Sequence, residues 1–513
     1  VSVNPSPAAP AAPPTPAAGA PTPSSMSLPG KIPRTTYLLF AIVCVGTSLG
    51  SLTQTAPNTM AAEVLADLGT DIGWGQWLTT AYIFSMGVAV PLASYLQRKF
   101  SVRTLLLGAF SLYLAGSLCD FLALNFPMLI VGRVLEAVAT GILMPLVQTI
   151  AMTRFPENRH GTAMGIAGIA LGFAPNIGPT VGGMLIGAVG WRFLFLVLSA
   201  ASALLLVATF AIVRGREARQ PAARLEVRSL VLAAAGFGGL LAGFTDAANY
   251  EPASPFVWVP AAVGAVCLVL FIQRQRRVAH PLMNLGIFAY RTYRVSFVTQ
   301  LFLYGCFLGM TLIIPLFVIE AGGHTTLEAG LVLLPGALAA LVFEPLAGVA
   351  SDWFGPRRVG LFGAAFLVAG AVPLAFVPAS APLWIAALLQ TLRCVGLTTL
   401  IPTTTAWGLG ELRREGITTD GSASMIMSRQ IAAALATAVM VLLIKQCSPA
   451  AAPELGYHLA LGFSGLLALL VLATVALFIR ERETKEDGEE AVAESRRFPE
   501  SAKEKEPEAL AQD

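Results

Sequence analysis

Fourteen separate runs in this sequence are each long and apolar enough to cross a bilayer. That repetition constrains the fold more than any other feature. The runs lie at about 36–60, 75–96, 103–124, 127–152, 161–188, 191–213, 228–247, 255–273, 295–319, 326–350, 358–377, 382–405, 421–445 and 457–479. A bilayer-crossing helix needs about 20 apolar residues, and an α-helix satisfies its own backbone there. Only 12% of the 513 residues are charged and 55% are hydrophobic. With a mean hydropathy of +0.71, the chain is expected to be an all-α membrane protein with the lipid bilayer as its main surroundings.

The runs, numbered here as spans 1 to 14, are separated by loops that sort by charge. Arg98, Lys99 and Arg103 follow span 2, and Arg154 and Arg159 follow span 4. Arg214, Arg216, Arg219 and Arg224 follow span 6, and Arg274, Arg276, Arg277, Arg291 and Arg294 follow span 8. Arg357 and Arg358 follow span 10, and Arg413 and Arg414 follow span 12. Loops after odd spans carry Glu63, Asp67, Asp71, Asp246, Glu251 and Glu320, with Arg192 and Lys445 as basic exceptions. The positive-inside rule then predicts a multi-pass protein of the inner (cytoplasmic) membrane with both termini in the cytoplasm.

Residues 1–35 are Pro/Ala-rich and read as a disordered N-terminus without a signal peptide. The chain opens at Val1 and its first methionine is Met26, which suggests an alternative start codon or a start at Met26. Residues 36–213 form an expected N-terminal six-helix half, 214–280 a linker with two inserted helices, and 281–479 a C-terminal six-helix half. Residues 480–513 read as a charged, disordered cytoplasmic tail. The halves echo each other. Pro91-Leu92-Ala93-Ser94 ends span 2 and Pro345-Leu346-Ala347-Gly348 ends span 10, each before a basic turn. Span 4 carries Arg133 and ends near Pro145, and span 12 carries Arg393 and ends near Pro402. Parallel repeats of this kind build rocking transporters with a midplane site.

Span 5 holds Ala174-Pro175-Asn176-Ile177-Gly178-Pro179-Thr180-Val181-Gly182-Gly183. A soluble helix would break on that string, but a membrane helix can keep it when neighbours re-satisfy its backbone. The residues support either a kinked helix at a moving interface or an ordinary small-residue packing face. The six cysteines have no metal or disulfide spacing, and the four histidines are dispersed. Phosphate loops, dinucleotide fingerprints and nucleophile elbows are absent from the sequence. No enzyme activity, cofactor, metal or nucleic-acid partner is expected.

These features resemble the major facilitator superfamily, and more closely its fourteen-helix drug:proton antiporters of the EmrB/QacA type. The Ala174–Gly183 string matches that group's antiporter motif, G-x-x-x-G-P-x-x-G-G, with Ala174 at the first glycine. Gly348-Val-Ala-Ser-Asp352-Trp-Phe-Gly355-Pro-Arg357-Arg358 matches the loop motif G-x-L-x-D-x-x-G-x-R-R. Arg133-Val-Leu-Glu136-Ala-Val-Ala-Thr-Gly141 is similar to the R-x-x-Q-G motif, with Glu136 and Ala137 in place of Gln and Gly. Gly190-Trp191-Arg192, Ser428-Arg429-Gln430 and Pro281-Leu282 also stand in family order. The resemblance implies a major facilitator fold of two six-helix halves plus two inserted central helices. It also implies a conformational latch at Gly348, Asp352, Gly355, Arg357 and Arg358, with Arg98 and Arg103 on the first loop. Two departures stand out. The helix 1 acid of the group's L-D-x-T-I-x-N pattern is missing from Leu52-Thr53-Gln54-Thr55-Ala56-Pro57-Asn58, and Ser94, Arg98 and Ser101 replace the Asp and both glycines of the first loop motif.

A proton-coupled transporter needs a charge whose protonation depends on which side the site faces. A buried carboxylate can serve, because burial favours its protonated form and a nearby cation its ionised form. Glu136 and Glu344 are the acids that stand out within spans. Glu136 lies three residues after Arg133, so it reads either as the replacement proton carrier or as a permanent ion pair. Glu344 reads as a gate or as a proton site. Gln54 and Asn58 share a helix face and offer uncharged hydrogen bonds. Tyr82, Phe84, Phe173, Tyr304 and Phe307 line an apolar pocket or pack elsewhere, and Arg393 and Arg429 neutralise a carboxylate or meet substrate. The expected function is a secondary transporter that exports hydrophobic or amphipathic small molecules in exchange for protons, with a periplasmic adaptor protein as a candidate partner. An exporter of one endogenous metabolite or siderophore-like compound is the alternative, and a transport-deficient sensor or scaffold a third reading.

Overall fold

The computed structural model describes residues 32–70, 74–75, 77–214, 225–246, 254–278, 281–447 and 454–479. Residues 1–31, the tail from 480, the linker residues Arg216, Arg219 and Arg224, the loop acids Asp71 and Glu251 and the side chain of Asn58 lie outside the described ones. Among the described residues, fourteen helices are long and apolar enough to cross a membrane. Span 1 is α1 (Arg34–Thr55), continued by α2 (Pro57–Asp67). Spans 2, 3 and 4 are α3 (Trp77–Lys99), α4 (Val102–Phe121) and α5 (Phe126–Arg154). Span 5 is α6 (His160–Gly168), a π-turn at Ile169–Phe173, and α7 (Ala174–Val189); span 6 is α8 (Arg192–Ile212). The inserted spans are α9 (Val227–Asp246) and α10 (Pro255–Gln275). Spans 9 to 14 are α11 (Arg291–Leu316), α12 (Thr326–Phe354), α13 (Pro356–Leu374), α14 (Leu383–Arg414), α15 (Thr418–Cys447) and α16 (Leu455–Phe478).

The spans of each six-helix half pack on one another, and α9 and α10 form a hairpin beside them. Close backbone approach holds that hairpin, since a Cβ on Gly239 would sit 2.8 Å from the Gly264 Cα. Arg274 closes its ends by bonding Glu226 at 2.5 Å, and that guanidinium holds the Glu226 carboxyl down at about 2. Phe237 of α9 seats on Gly87 of α3. The outer face of α10, including Phe256, Trp258, Val259 and Val263, is exposed, as a lipid-facing helix requires.

The Gly/Pro string of span 5 is explained by its missing backbone donors. Pro175 has no N–H, and just ahead of it the helix widens so that the Ala174 amide reaches back to the Ile169 carbonyl. The Asn176 side-chain amide donates to the Gly172 carbonyl at 2.9 Å. Pro179 likewise leaves the Pro175 carbonyl without its helical donor. The Thr55 hydroxyl of span 1 supplies one at 2.7 Å, and Thr59 donates to the Pro179 carbonyl at 3.2 Å. Span 1 approaches closely enough for this because a Cβ on Gly178 would collide with the Thr55 hydroxyl, and one on Gly182 would lie 2.5 Å from the Ala56 carbonyl oxygen. The string is therefore a seam between spans 5 and 1, inside the first half. Gly183 does not share it: space is open around that position.

Thr55→Val keeps the shape of the side chain and removes the donor. Thermal unfolding in detergent should show a loss of about 1 kcal/mol. Gly178→Ala should cost more, because its methyl meets the Thr55 side chain directly. Equal melting of wild type and both variants would remove this account of the string.

Candidate functional site

A small cleft of about 30 Å³ lies between the two halves. Gln54, Met144, Leu171 and Pro175 line it from the first half. Tyr304, Phe307, Leu308, Ile426, Arg429 and Gln430 line it from the second. Mostly apolar walls with a few polar groups are what a drug-sized ligand needs. Four expected cavity residues, Gln54, Tyr304, Phe307 and Arg429, are brought together here. Four others are not. The Phe84 ring, 39% exposed, packs on Gly238 of the inserted hairpin. Phe173 sits on the π-turn and outside the lining. Arg393 is fully buried in the second half, where it donates to the Cys306 carbonyl at 2.7 Å and to Gln390 at 2.8 Å. Tyr82 faces α5 instead of the cleft, and its hydroxyl bonds the Gly50 carbonyl and Thr140, each at 2.7 Å. These corrections share a cause: a helix aromatic or arginine has several faces to choose from, and tertiary packing chooses.

At its arginine-rich end the cleft is shut. There α6 and α12 cross in backbone contact: a Cβ on Gly161 would sit 2.5 Å from the Gly348 carbonyl oxygen, and one on Gly165 would lie 2.7 Å from the Glu344 carbonyl oxygen. Asp352, at the end of span 10, accepts from the Gly161 and Thr162 amides at 2.7 Å each and from the Thr162 hydroxyl at 2.6 Å. It thus caps the first turn of span 5, where free amides and the helix dipole favour an anion. Arg357 and Arg358, which the sequence motif suggested as parts of this latch, lie on the surface in the first turn of α13 after Gly355. Gly355 takes φ +83°, a conformation that favours glycine.

The second latch has its charges exchanged. Pro345 stands 254 positions after Pro91, and Asp352 stands 254 after Arg98. Arg98 donates to both Asp420 oxygens, at 2.9 and 3.1 Å. Its other nitrogen reaches the Pro281 and Leu282 carbonyls at 3.1 and 2.6 Å. Where the second half offers a carboxylate to helix amides, the first half offers an arginine to a carboxylate in the first turn of span 13. The lost aspartate of the first loop motif is thereby compensated on the opposite half. Asp420 was not singled out from the sequence because it lies at a span's margin, among loop charges. Arg103 does not belong to this latch: it donates to the Phe210 carbonyl at 3.1 Å and lies over the Phe210 ring, within the first half. Arg413 lies 3.3 Å from His160 Nε2 and Arg414 pairs with Glu157 at 3.8 Å, adding contacts between the halves at the same end.

Two buried acidic places remain. Between α4 and α5, Arg133 pairs with Glu136 at 3.0 Å, and Glu136 also accepts from Ser117 at 2.7 Å. Arg133 lies over the Tyr82 ring, 4.2 Å from its centroid. Asp120 of α4 neighbours Glu136 and fits only because Gly132 has no side chain. All three charged side chains are wholly removed from solvent. Asp120 was missed in the sequence because it stands one residue from the end of its helix, where an acid reads as interfacial. Span 1 touches this cluster: Thr53 is hydrogen-bonded to Tyr113, the Tyr82 hydroxyl oxygen lies 2.7 Å from both the Gly50 carbonyl oxygen and Thr140 Oγ1, and Thr140 Oγ1 lies 2.8 Å from the Glu136 carbonyl oxygen. The second place is Glu344, buried in α12 against Gly168 and Gly172 of span 5. Among the described residues neither of its carboxylate oxygens finds a hydrogen-bond partner, although the Phe173 amide lies close by.

Arg98→Asp should set two carboxylates face to face and favour the open state by about 2 kcal/mol or more. Arg98→Asp with Asp420→Thr should restore closure, because the pair then copies the Asp352–Thr162 latch. A cysteine at Leu171, with the six native cysteines replaced, would report this to a maleimide supplied from the arginine-rich side. Labelling should be fast in the single variant and slow again in the double variant. Equal labelling in all three proteins would refute the exchanged-charge latch.

The sequence profile of the Major Facilitator Superfamily matches residues 38–437. The chain is 29% identical to the MFS-type transporter YcnB of Bacillus subtilis over 86% of its own length and 93% of that protein. It is 30% identical to the lincomycin resistance protein LmrB of Bacillus subtilis, over 77% of this chain and 82% of that one. Among solved structures, the proton:xylose symporter XylE superposes with a TM-score of 0.61 at 13% identity, covering 87% of this chain and 96% of that one. Fourteen spans, two latched halves, a central cleft and these likenesses agree: the chain belongs to the Major Facilitator Superfamily.

Proposed function

We propose that the protein exports hydrophobic or amphipathic compounds in exchange for protons. In this reading it sits in the inner membrane, with both termini and the arginine-rich end facing the cytoplasm. The observation that carries the proposal is the Asp120–Arg133–Glu136 cluster. Glu136 pairs with the Arg133 guanidinium, and a second carboxylate, Asp120, lies beside them with neither oxygen hydrogen-bonded among the described residues; all three side chains are removed from solvent. One negative charge is then left over inside the membrane unless one acid holds a proton. Loading and releasing that proton changes the net charge of the site by one unit.

The cluster also explains how transport survives without the acid that similar antiporters carry in helix 1. Thr53 occupies that place in the L-D-x-T pattern and hydrogen-bonds to Tyr113. The titrating group has thus moved one layer back, to spans 3 and 4, and stays joined to span 1 through hydroxyls. Glu344 lies on the seam between halves, and we assign it to gating. The drug-resistance name of LmrB and the apolar walls of the cleft support drug-like cargo.

The test is dye efflux from proteoliposomes under an imposed pH gradient. Glu136→Gln should reduce pH-driven efflux to background yet leave dye–dye exchange, which needs no net proton movement. Glu344→Gln should slow turnover without removing the dependence on the gradient. Undiminished pH-driven efflux in Glu136→Gln would overturn the assignment of the proton site.

A further inference from the structure

The three arginines buried within the spans are neutralised differently. Arg133 has Glu136. Arg393 is bonded to a backbone carbonyl and a glutamine, away from the cleft. Arg429 lines the cleft while only 2% exposed, and among the described residues no carboxylate is paired with it. Its guanidinium donates to the Thr405 hydroxyl at 2.6 Å and lies over the Tyr304 ring, 4.9 Å from its centroid. Its Nε–H has no hydrogen-bond partner among the described residues. None of the other residues that line the cleft is charged.

A buried cation without a counter-ion is costly, and the cost falls when an anion arrives to meet it. Guanidinium suits this role because its edge presents parallel donors to a carboxylate or sulfonate. The surroundings of Arg429 complete such a site. Tyr304 covers one face, Gln54 and Gln430 supply neutral hydrogen-bonding groups, and Phe307, Leu171 and Ile426 offer apolar contact. We infer that the cleft recognises cargo by an anionic headgroup placed on Arg429, so that its preferred ligands are lipophilic anions and not lipophilic cations. A cation entering the same space would be stripped of water beside a fixed positive charge. The inference rests on the reading of the cleft as the cargo site and narrows the class of compound it takes.

Three ligands with one apolar body test this: pyrenebutyrate, pyrenebutanol and pyrenebutyltrimethylammonium. Saturable binding to the full chain in lipid nanodiscs, read by pyrene fluorescence, should be tightest for the carboxylate and weakest for the ammonium compound. Arg429→Gln should weaken carboxylate binding about tenfold or more and erase the preference, and Arg429→Lys should retain part of it. Should Arg429→Gln fail to fold, the order of the three ligands on the wild-type protein still decides. Ammonium binding as tight as carboxylate binding would overturn the inference, as would a carboxylate preference that survives in Arg429→Gln. Flux of the same ligands under a pH gradient separates the two proposals. Gradient-driven flux without headgroup preference leaves the export reading standing and removes the anion site. Carboxylate-selective binding without gradient-driven flux does the reverse.

Discussion

A bilayer offers no water to an unpaired polar group, and this chain answers most of its departures from plain apolar helix with a partner from another span. Pro179 frees a carbonyl on span 5, and Thr55 of span 1 donates to it. Glu136 places a carboxylate inside α5, and Ser117 of α4 donates to it. Asp352 ends span 10 with a carboxylate, and the first amides of span 5 receive it. Each answer fixes the register between two helices more tightly than lipid-like side chains could, because hydrocarbon gains little by facing hydrocarbon in place of lipid. The polar minority therefore sets the geometry, and the apolar majority fills it.

The duplicated halves show how far such pairs can drift while closure is kept. A latch needs an attraction across the seam, and the sign of each partner is free. In one copy the carboxylate stands on span 10 and the donors are helix amides. In the other the arginine stands on span 2 and the carboxylate on span 13. Arg133 and Arg393 diverge in the same way: one is neutralised by an acid three residues later, the other by neutral acceptors. This asymmetry gives the first half a titratable centre beside its arginine, and the second half places its cleft-facing charge on Arg429.

Much of this was legible in the sequence, for physical reasons. Apolar length is a strong local signal, so the expected spans fall within a few residues of their helices, apart from span 12, whose helix runs on to Arg414, and span 1. That span continues past 60 because α1 ends at Thr55 and Pro57 starts a second helix, α2, that runs to Asp67. Motif arginines and the second loop aspartate were visible as charges in apolar surroundings. The side each residue faces was not visible. Phe84 and Tyr304 look alike in sequence, yet one packs on an inserted helix and the other lines the cleft. Asp120 and Asp420 were passed over because each lies near a helix end, where charge is ordinary. Only the fold shows that both point inward.

Span 1 links these features through three consecutive residues. Successive side chains on an α-helix point about 100° apart, so neighbours in sequence face different surroundings. Thr53 turns to Tyr113 and the acidic cluster behind it. Gln54 turns to the cleft. Thr55 turns to span 5 and holds the Pro175 carbonyl. Pro175 lines the cleft as well, and the π-turn just before it carries the amide that faces Glu344. A rotation of span 1 by a fraction of a turn would therefore alter three sets of contacts together. Coupling requires that two ligands bias the same two-state element through different contacts. A proton at the cluster and cargo in the cleft would each act on span 1 from different sides, and span 5 would pass the outcome to the seam with span 10. A helix 1 acid would have joined proton and cargo at one point. With Thr53 in its place, the export function proposed above would separate the two sites and rely on the stiffness of the helix between them.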